Sequence, residues 1–197
     1  MRLVLATRNP GKVAELAARL GDAADLISAA DVPGAPEVVE DADTLLGNAE
    51  KKARALHAHT GLPALADDTG LEVDALDGAP GVWSARFAGA DADDVANRAL
   101  LLDRLGGRDD RSARFRTVLA FADSAGVRFF DGICEGSITE AEAGTGGFGY
   151  DALFRPADGD GRTFAEMDAA QKNEISHRGR ALDAFSRWLT SRSEAGD

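Results

Sequence analysis

With 197 residues, 44% of them apolar and 28% charged, the chain has the length and composition of one globular domain with a sizeable core, and no run of about 18 apolar residues that could span a bilayer. Its 34 acidic residues against 22 basic ones give a formal charge of −12, which excludes broad contact with a nucleic-acid polymer; a small polyanion is allowed only where cations are concentrated within a screening length of about 8 Å. Cys134 is the one cysteine, so no internal disulfide forms and a reducing cytoplasm is expected; Met-Arg-Leu-Val-Leu-Ala is too short an apolar run for a signal peptide.

Leu3-Val4-Leu5-Ala6 is a continuous apolar stretch, which predicts a strand buried on both faces. Asn9 is placed to cap a helix opened by Pro10, with Val13, Leu16, Ala17 and Leu20 at helical spacing and Gly21 as its stop. A second helix is predicted from Thr44 to Thr60, with Leu45, Ala49, Ala53 and Leu56 on one face and Gly61 after it. Leu62 to Ala66 then reads as a buried strand that delivers Asp67-Asp68-Thr69-Gly70 at its C-terminal end. Residues 74–89, with their glycine turns, predict an irregular loop crossing the surface. Residues 91–105 predict a helix with Val95, Ala99, Leu102 and Leu105 inward.

From Ala113 the apolar period changes to two, and Asp-Ser-Ala-Gly at 123–126 turns the chain into Val127 to Cys134; this is an antiparallel hairpin, extended by a third strand near 136–139. Ala152-Leu153-Phe154 predicts a short strand. Ser176 is placed to cap a last helix with Leu182, Phe185, Trp188 and Leu189 inward, and the tail after Arg192 is expected to fray. Early alternation of strands and helices followed by a meander gives the α/β class, a mixed β-sheet flanked by helices. Neither a repeat nor a linker divides the chain, so residues 1–197 are expected to form a single domain.

Several short strings carry chemistry. Thr7-Arg8-Asn9-Pro10-Gly11-Lys12 lies between a strand and a helix, where free backbone N–H groups and the positive helix end favour phosphate and Lys12 is a natural partner; it lacks the spacing of a P-loop. Carboxylates at the end of a buried strand need solvent, donors or a cation, and Mg²⁺ takes one or two carboxylates plus substrate phosphates; one of Asp67 and Asp68, with Glu40 from Pro-Glu-Val-Val-Glu-Asp as a second, fits that use. Asp67 and Asp68 are adjacent in a strand and point to opposite faces, so only one of them faces a given site. Lys52 lies on the apolar face of its helix, where it either snorkels out or reaches an anion. Gly144 to Gly149 spells G-x-G-x-x-G, but no buried strand precedes it and no helix follows, which rules out a dinucleotide fingerprint. Phe148-Gly149-Tyr150-Asp151 offers a stacking face, and Lys172, His177 and Arg178 offer donors to carbonyl and phosphate oxygens, the requirements of a nucleobase pocket. His57 and His59 have no zinc-ligand spacing with the cysteine and read as exposed helical histidines.

These strings, in their order, resemble the inosine/xanthosine triphosphate pyrophosphatases, the Ham1-like family. Thr-Arg-Asn-Pro-Gly-Lys resembles the family's T-x-N-x-x-K loop; ADDTGLEVDALDGAPGVWSARFAG, GTGGFGYDALF and FAEMDAAQKNEISHRGRAL follow at the family's spacing, so the resemblance covers nearly the whole chain. It implies an elongated mixed α/β fold with two lobes around a central cleft, a homodimer, and Mg²⁺-dependent hydrolysis of ITP, dITP and XTP to monophosphate and pyrophosphate. By position it implies that Thr7, Arg8, Asn9, Pro10, Gly11, Lys12 and Lys52 hold phosphates, and that Glu40 and Asp68 serve the metal with Asp68 as proton acceptor. It further implies that Thr69 contacts substrate and that Phe148, Gly149, Tyr150, Asp151, Lys172, His177 and Arg178 hold base and sugar. Two departures stand out: Arg8 where the family frequently has Gly or Ser, and Gly47 where the helix commonly carries Glu. The residues also leave open a nucleotide sensor without turnover and a pyrophosphatase for modified pyrimidine or methylated nucleotides.

Overall fold

A computed structural model describes residues 1–20 and 24–194. Gly21, the expected stop of the first helix, and the last three residues of the tail lie outside them. Seven strands and five helices appear in the described residues: β1 (Arg2–Leu5), α1 (Pro10–Leu20), β2 (Asp25–Ser28), α2 (Leu45–Thr60), β3 (Ala64–Val73), β4 (Pro80–Gly81), α3 (Asp94–Arg104), β5 (Ser112–Asp123), β6 (Gly126–Ile138), β7 (Phe154–Pro156), α4 (Ala169–Ile175) and α5 (His177–Glu194). Strand neighbours run β2-β1-β3-β5-β6-β7, with β4 on β3. Pairs β1–β2 and β1–β3 are parallel, whereas β3–β4 and β6–β7 are antiparallel, so the sheet is mixed as expected.

The chain divides into two compact units: residues 1–68, 117–132 and 179–197 form the first, and residues 69–116 and 133–178 the second. In the first, β1 is fully buried from Leu3 to Leu5, and Leu16 and Leu20 of α1 meet Leu65, Phe121, Leu182 and Phe185 in one core. Ala17 is exposed, not inward: with Leu16 and Leu20 already facing the core, it falls on the solvent side of the helix. A smaller cluster of Val4, Ala29, Leu56 and Ala64 packs α2 on the opposite face of β1. Thr44 caps α2 by accepting the Gly47 N–H at 3.1 Å, and Gly61 ends it in the left-handed conformation, φ 69°, with its N–H on the His57 carbonyl at 2.8 Å. His57 is only half-buried rather than exposed, because its Nδ1 lies 2.6 Å from the Leu62 carbonyl; His59 is exposed.

The second unit centres on Leu71, Leu101, Phe115, Ile138, Leu153, Phe154 and Phe164. Its helix α3 departs from the apolar spacing in its first turns, where Val95 is 60% exposed and Ala99 is exposed while Asn97 and Leu101 are buried; at its end Leu105 is buried and Leu102 packs on the core as expected. Asn97 sets this phase, since its Oδ1 accepts the Ala88 N–H at 2.8 Å and its Nδ2 donates to the Ala85 carbonyl at 3.2 Å. β6 is one strand to Ile138, so the separate strand expected near 136–139 is its continuation. β7 begins at Phe154, because Ala152 and Leu153 still belong to the turn closed by Tyr150. Three elements escaped the sequence reading, β2, α4 and the two-residue β4, which pairs with β3 inside the stretch 74–89 expected to be irregular; α4 opens with Asp168 accepting the Gln171 N–H at 2.8 Å while Gln171 Oε1 accepts the Asp168 N–H, a reciprocal cap.

Candidate active site

The largest difference from expectation is where the paired acids sit. β3 does not stop at Ala66 but runs through Asp67-Asp68-Thr69-Gly70 to Val73, so the acids lie in the middle of a ten-residue strand. Alternation along that strand sends the two carboxylates to different lysines. Asp67 Oδ2 meets Lys12 Nζ at 2.8 Å, while Asp68 Oδ1 meets Lys52 Nζ at 3.2 Å. Lys52 reaches inward: its amine also donates to the Asp67 carbonyl at 2.7 Å and lies 3.2 Å from Glu40 Oε1, with its side chain 11% exposed. Glu40, Asp68 and Lys52 are thereby brought together as expected, and Lys12 joins them through Asp67.

Asn48 is a member that sequence reasoning missed. It is buried, donates from Nδ2 to Asp68 Oδ2 at 3.3 Å, and accepts the Ala42 N–H at 2.9 Å, so one amide links the acid to the segment that carries Glu40. It stands one position before Ala49 of the apolar stripe and four before Lys52, a placement that by itself names no partner. In the loop before α1, Asn9 Oδ1 accepts the Gly11 and Lys12 N–H groups at 2.9 and 3.3 Å and its own N–H goes to Thr7 Oγ1 at 3.2 Å, which fixes the start of the helix. Arg8 turns to Glu37 Oε1 at 2.9 Å and to the Ala35 carbonyl at 3.2 Å. The side chain of Pro10 is outside the described residues.

Electrostatics in this cluster are uneven in a telling way. Burial pushes the Asp68 carboxyl up to about 6; Lys52 and Lys12 pull it down, but Glu40 pushes it further up. Lys52 is also raised: burial alone would lower it, yet Asp68, Asp67 and Glu40 together outweigh that. The two directions look contradictory for an ion pair, and the count of neighbours reconciles them. One ammonium is shared among several acidic groups, so the cation gains while the acids remain under-compensated. Among the described residues no group of three or more His, Cys, Asp or Glu side chains is spaced to hold a metal alone. Two carboxylates short of positive charge nevertheless fit an oxygen-seeking divalent ion that completes its shell with water and phosphate.

The second unit holds the aromatic cluster. Asp151 is buried; its Oδ2 accepts the Phe148 N–H and the Lys172 ammonium, both at 2.8 Å. Lys172 Nζ stands 4.8 Å from the Phe148 ring centre and the Arg178 guanidinium 5.7 Å, so two buried cations face one half-buried ring. Arg178 also donates to Thr69 Oγ1 at 3.2 Å, and His177 stacks on Phe115 with ring centres 4.5 Å apart. Tyr150 points away, its hydroxyl on the Ser84 carbonyl at 2.8 Å, and burial raises its pKa. The preceding glycines are steric necessities at two places: a Cβ on Gly144 would overlap the Ala165 carbonyl, and one on Gly147 the Asp151 carboxylate. Ser176 sits between α4, which carries Lys172, and α5, which opens with His177-Arg178.

The Ham1 family sequence model matches residues 3–188. The chain belongs to the Ham1 family. A dITP/XTP pyrophosphatase of Desulforamulus reducens is 54% identical over 186 residues, 92% of each chain. One of Streptomyces coelicolor is 50% identical, covering 93% of this chain and 94% of that protein. Among solved structures, a HAM1 protein from Coxiella burnetii superposes with a TM-score of 0.89 at 40% identity, over 97% of this chain and 99% of that one. This agreement establishes the α/β fold with its mixed sheet flanked by helices.

Proposed function

We propose that the chain is a nucleoside triphosphate pyrophosphatase: it hydrolyses ITP, dITP and XTP to the monophosphate and pyrophosphate and so clears these purines from the nucleotide pool. Family membership and relatives at about half identity that are named dITP/XTP pyrophosphatases support this. The observation that carries it at the level of residues is the split of β3 between two chemistries. Asp68 ends a cluster of acids and lysines suited to phosphate and metal, and the next residue, Thr69, belongs to a cluster of cations around an aromatic ring suited to a base.

In this reading the Thr7 to Lys12 loop and Lys52 bind phosphate oxygens. A substrate polyphosphate would draw Lys12 and Lys52 from their carboxylate partners, exchanging one anion for another at little net cost. Glu40 and Asp68 would hold the divalent ion, Mg²⁺ by its preference for oxygen donors. When bound, that ion offsets charge on the phosphates and acidifies coordinated water. Asp68, ionised at neutral pH with its carboxylate oriented by Asn48 and Lys52, accepts the proton of the attacking water. Phe148 supplies the stacking face, and Lys172, His177 and Arg178 supply donors for the 6-oxo group and sugar. Adenine, which carries an amine in place of that oxygen, would leave such donors unpaired. The resemblance also supports a homodimer, which sedimentation checks.

Asp68→Asn tests the assignment. Removal of a general base lowers turnover by about 10² to 10⁴-fold, while ITP binding, followed by titration calorimetry, should persist. A variant that keeps wild-type turnover, or a wild type that binds ITP with no turnover in the presence of Mg²⁺, contradicts the reading; the second result would make the chain a sensor.

A further inference from the structure

The mechanism above leaves unused a pair of side chains on α3 that hold the peptide next to Phe148. Asp94 and Arg98 are four residues apart and therefore on one face of the helix. Asp94 Oδ2 accepts the Gly149 N–H at 2.7 Å, and Arg98 Nη1 donates to the Gly149 carbonyl at 2.9 Å. Arg98 Nε also lies 2.9 Å from Glu142 Oε1, an ion pair whose N–H is not aligned for a hydrogen bond, so one guanidinium bonds one end of the loop from Glu142 to Gly149 and attracts the charge at the other. That loop contains Gly144, Gly146 and Gly147, and ordering glycine-rich backbone carries a large entropic cost. Of its other ties, Ala143 N–H to the Ala152 carbonyl at 2.9 Å and Gly146 N–H to the Ala165 carbonyl at 3.0 Å hold the part of the loop away from Phe148, while Phe148 itself is bonded to Asp151, whose Oδ2 accepts its N–H at 2.8 Å and whose N–H donates to its carbonyl at 3.2 Å.

Gly149 itself stands at φ 61°, with nothing near the position a Cβ would take, so glycine serves conformation there and not space. A residue so permissive does not fix its own geometry. Both of its polar backbone groups are fixed by α3 instead.

We propose that Asp94 and Arg98 are positioning residues for the base end of the site: by clamping Gly149 they set the orientation of Phe148 and Asp151, and through them affinity and selectivity for the purine. Both act through the Gly149 peptide. The proposal rests on the reading of Phe148 as the surface on which the base stacks.

The test compares steady-state kinetics of full-length Arg98→Met, Asp94→Ala, Asp94→Asn and Phe148→Ala on ITP and GTP, with inhibition by inorganic pyrophosphate as a readout that involves no base. Loss of one charge-assisted bond corresponds to roughly tenfold in affinity. Arg98→Met and Asp94→Ala should raise KM for ITP by about that factor, with kcat changed less than about twofold and pyrophosphate inhibition unchanged. They should also narrow the preference for ITP over GTP. Asp94→Asn keeps an acceptor oxygen for the Gly149 N–H and should retain the wild-type KM.

If Phe148→Ala raises KM for ITP while Arg98→Met and Asp94→Ala do not, the clamp is overturned and the base reading stands. If Phe148→Ala leaves KM unchanged, the base reading fails and the clamp with it. If the clamp variants lower kcat and weaken pyrophosphate inhibition in parallel, they act on the whole fold and the positioning role is wrong. Should Arg98→Met not fold, the exposed Asp94 variants carry the same comparison.

Discussion

A lysine amine among Glu40, Asp68 and the Asp67 carbonyl is the feature on which the local chemistry turns. Replacing Lys52 by Met keeps most of its volume but strands two acids, and breaking a buried ion pair in this way costs about 3–5 kcal/mol. The Asp68 midpoint should rise above about 6 in that variant, since Lys52 is the main group holding it down; a carbon-13 carboxyl titration reads it directly. The sign for stability follows from the same shift. Asp68 in the fold holds its proton more tightly than at its ordinary value of 3.8, so its contribution in the metal-free protein is most favourable at low pH and is lost as pH rises from there through about 6. Mg²⁺ should move the midpoint down, because a cation favours the carboxylate. A midpoint that ignores both Lys52→Met and Mg²⁺ would contradict the cluster as drawn. Residue types were readable at this scale: acids next to each other in a strand were expected to diverge, and they do. Asn48 was not, because an amide inside a helix announces a partner only when that partner's position is known.

At the scale of elements, sequence periodicity located helices better than it located their faces or the ends of strands. β3 was cut short at the acids because a charged pair normally ends a buried run, and here lysines from the first turn of α1 and from α2 allow the strand to continue. The phase of α3 was set by Asn97, a polar residue that apolar counting ignores. The reciprocal cap of α4 was present in Asp168 and Gln171 but precedes too short an apolar pattern to be noticed. Gly47 yields a prediction opposite to propensity: alanine ordinarily stabilises a helix by about 0.5–1 kcal/mol over glycine. Here an added Cβ would stand 2.8 Å from the Ala42 Cβ and 3.2 Å from Thr44 Oγ1. Gly47→Ala should therefore destabilise, by about 1 kcal/mol, seen as a lower urea midpoint. A higher midpoint would show that the capping turn has room to shift. In this chain the glycine fits the turn that leads from Glu40 into α2.

For the molecule as a whole, net charge and local charge oppose each other. An overall −12 repels polyanions, whereas cations gather locally, Lys12 and Lys52 beside the acids in one unit and Lys172 and Arg178 around Phe148 in the other. The chain should show no binding to duplex DNA by fluorescence anisotropy at physiological salt while it still accepts a nucleoside triphosphate. Saturable DNA binding would mean that a basic surface has been overlooked. The family was visible in the order and spacing of four motifs, which no single motif among them could have established.

The most direct test of the account incubates the protein with Mg²⁺ and ITP, XTP, ATP or GTP in turn, and assays pyrophosphate and orthophosphate separately. ITP and XTP should give pyrophosphate and monophosphate one to one without orthophosphate, and ATP should react far more slowly, with discrimination of up to about 10⁴-fold. Release of orthophosphate, or consumption of ATP as fast as ITP, would contradict it.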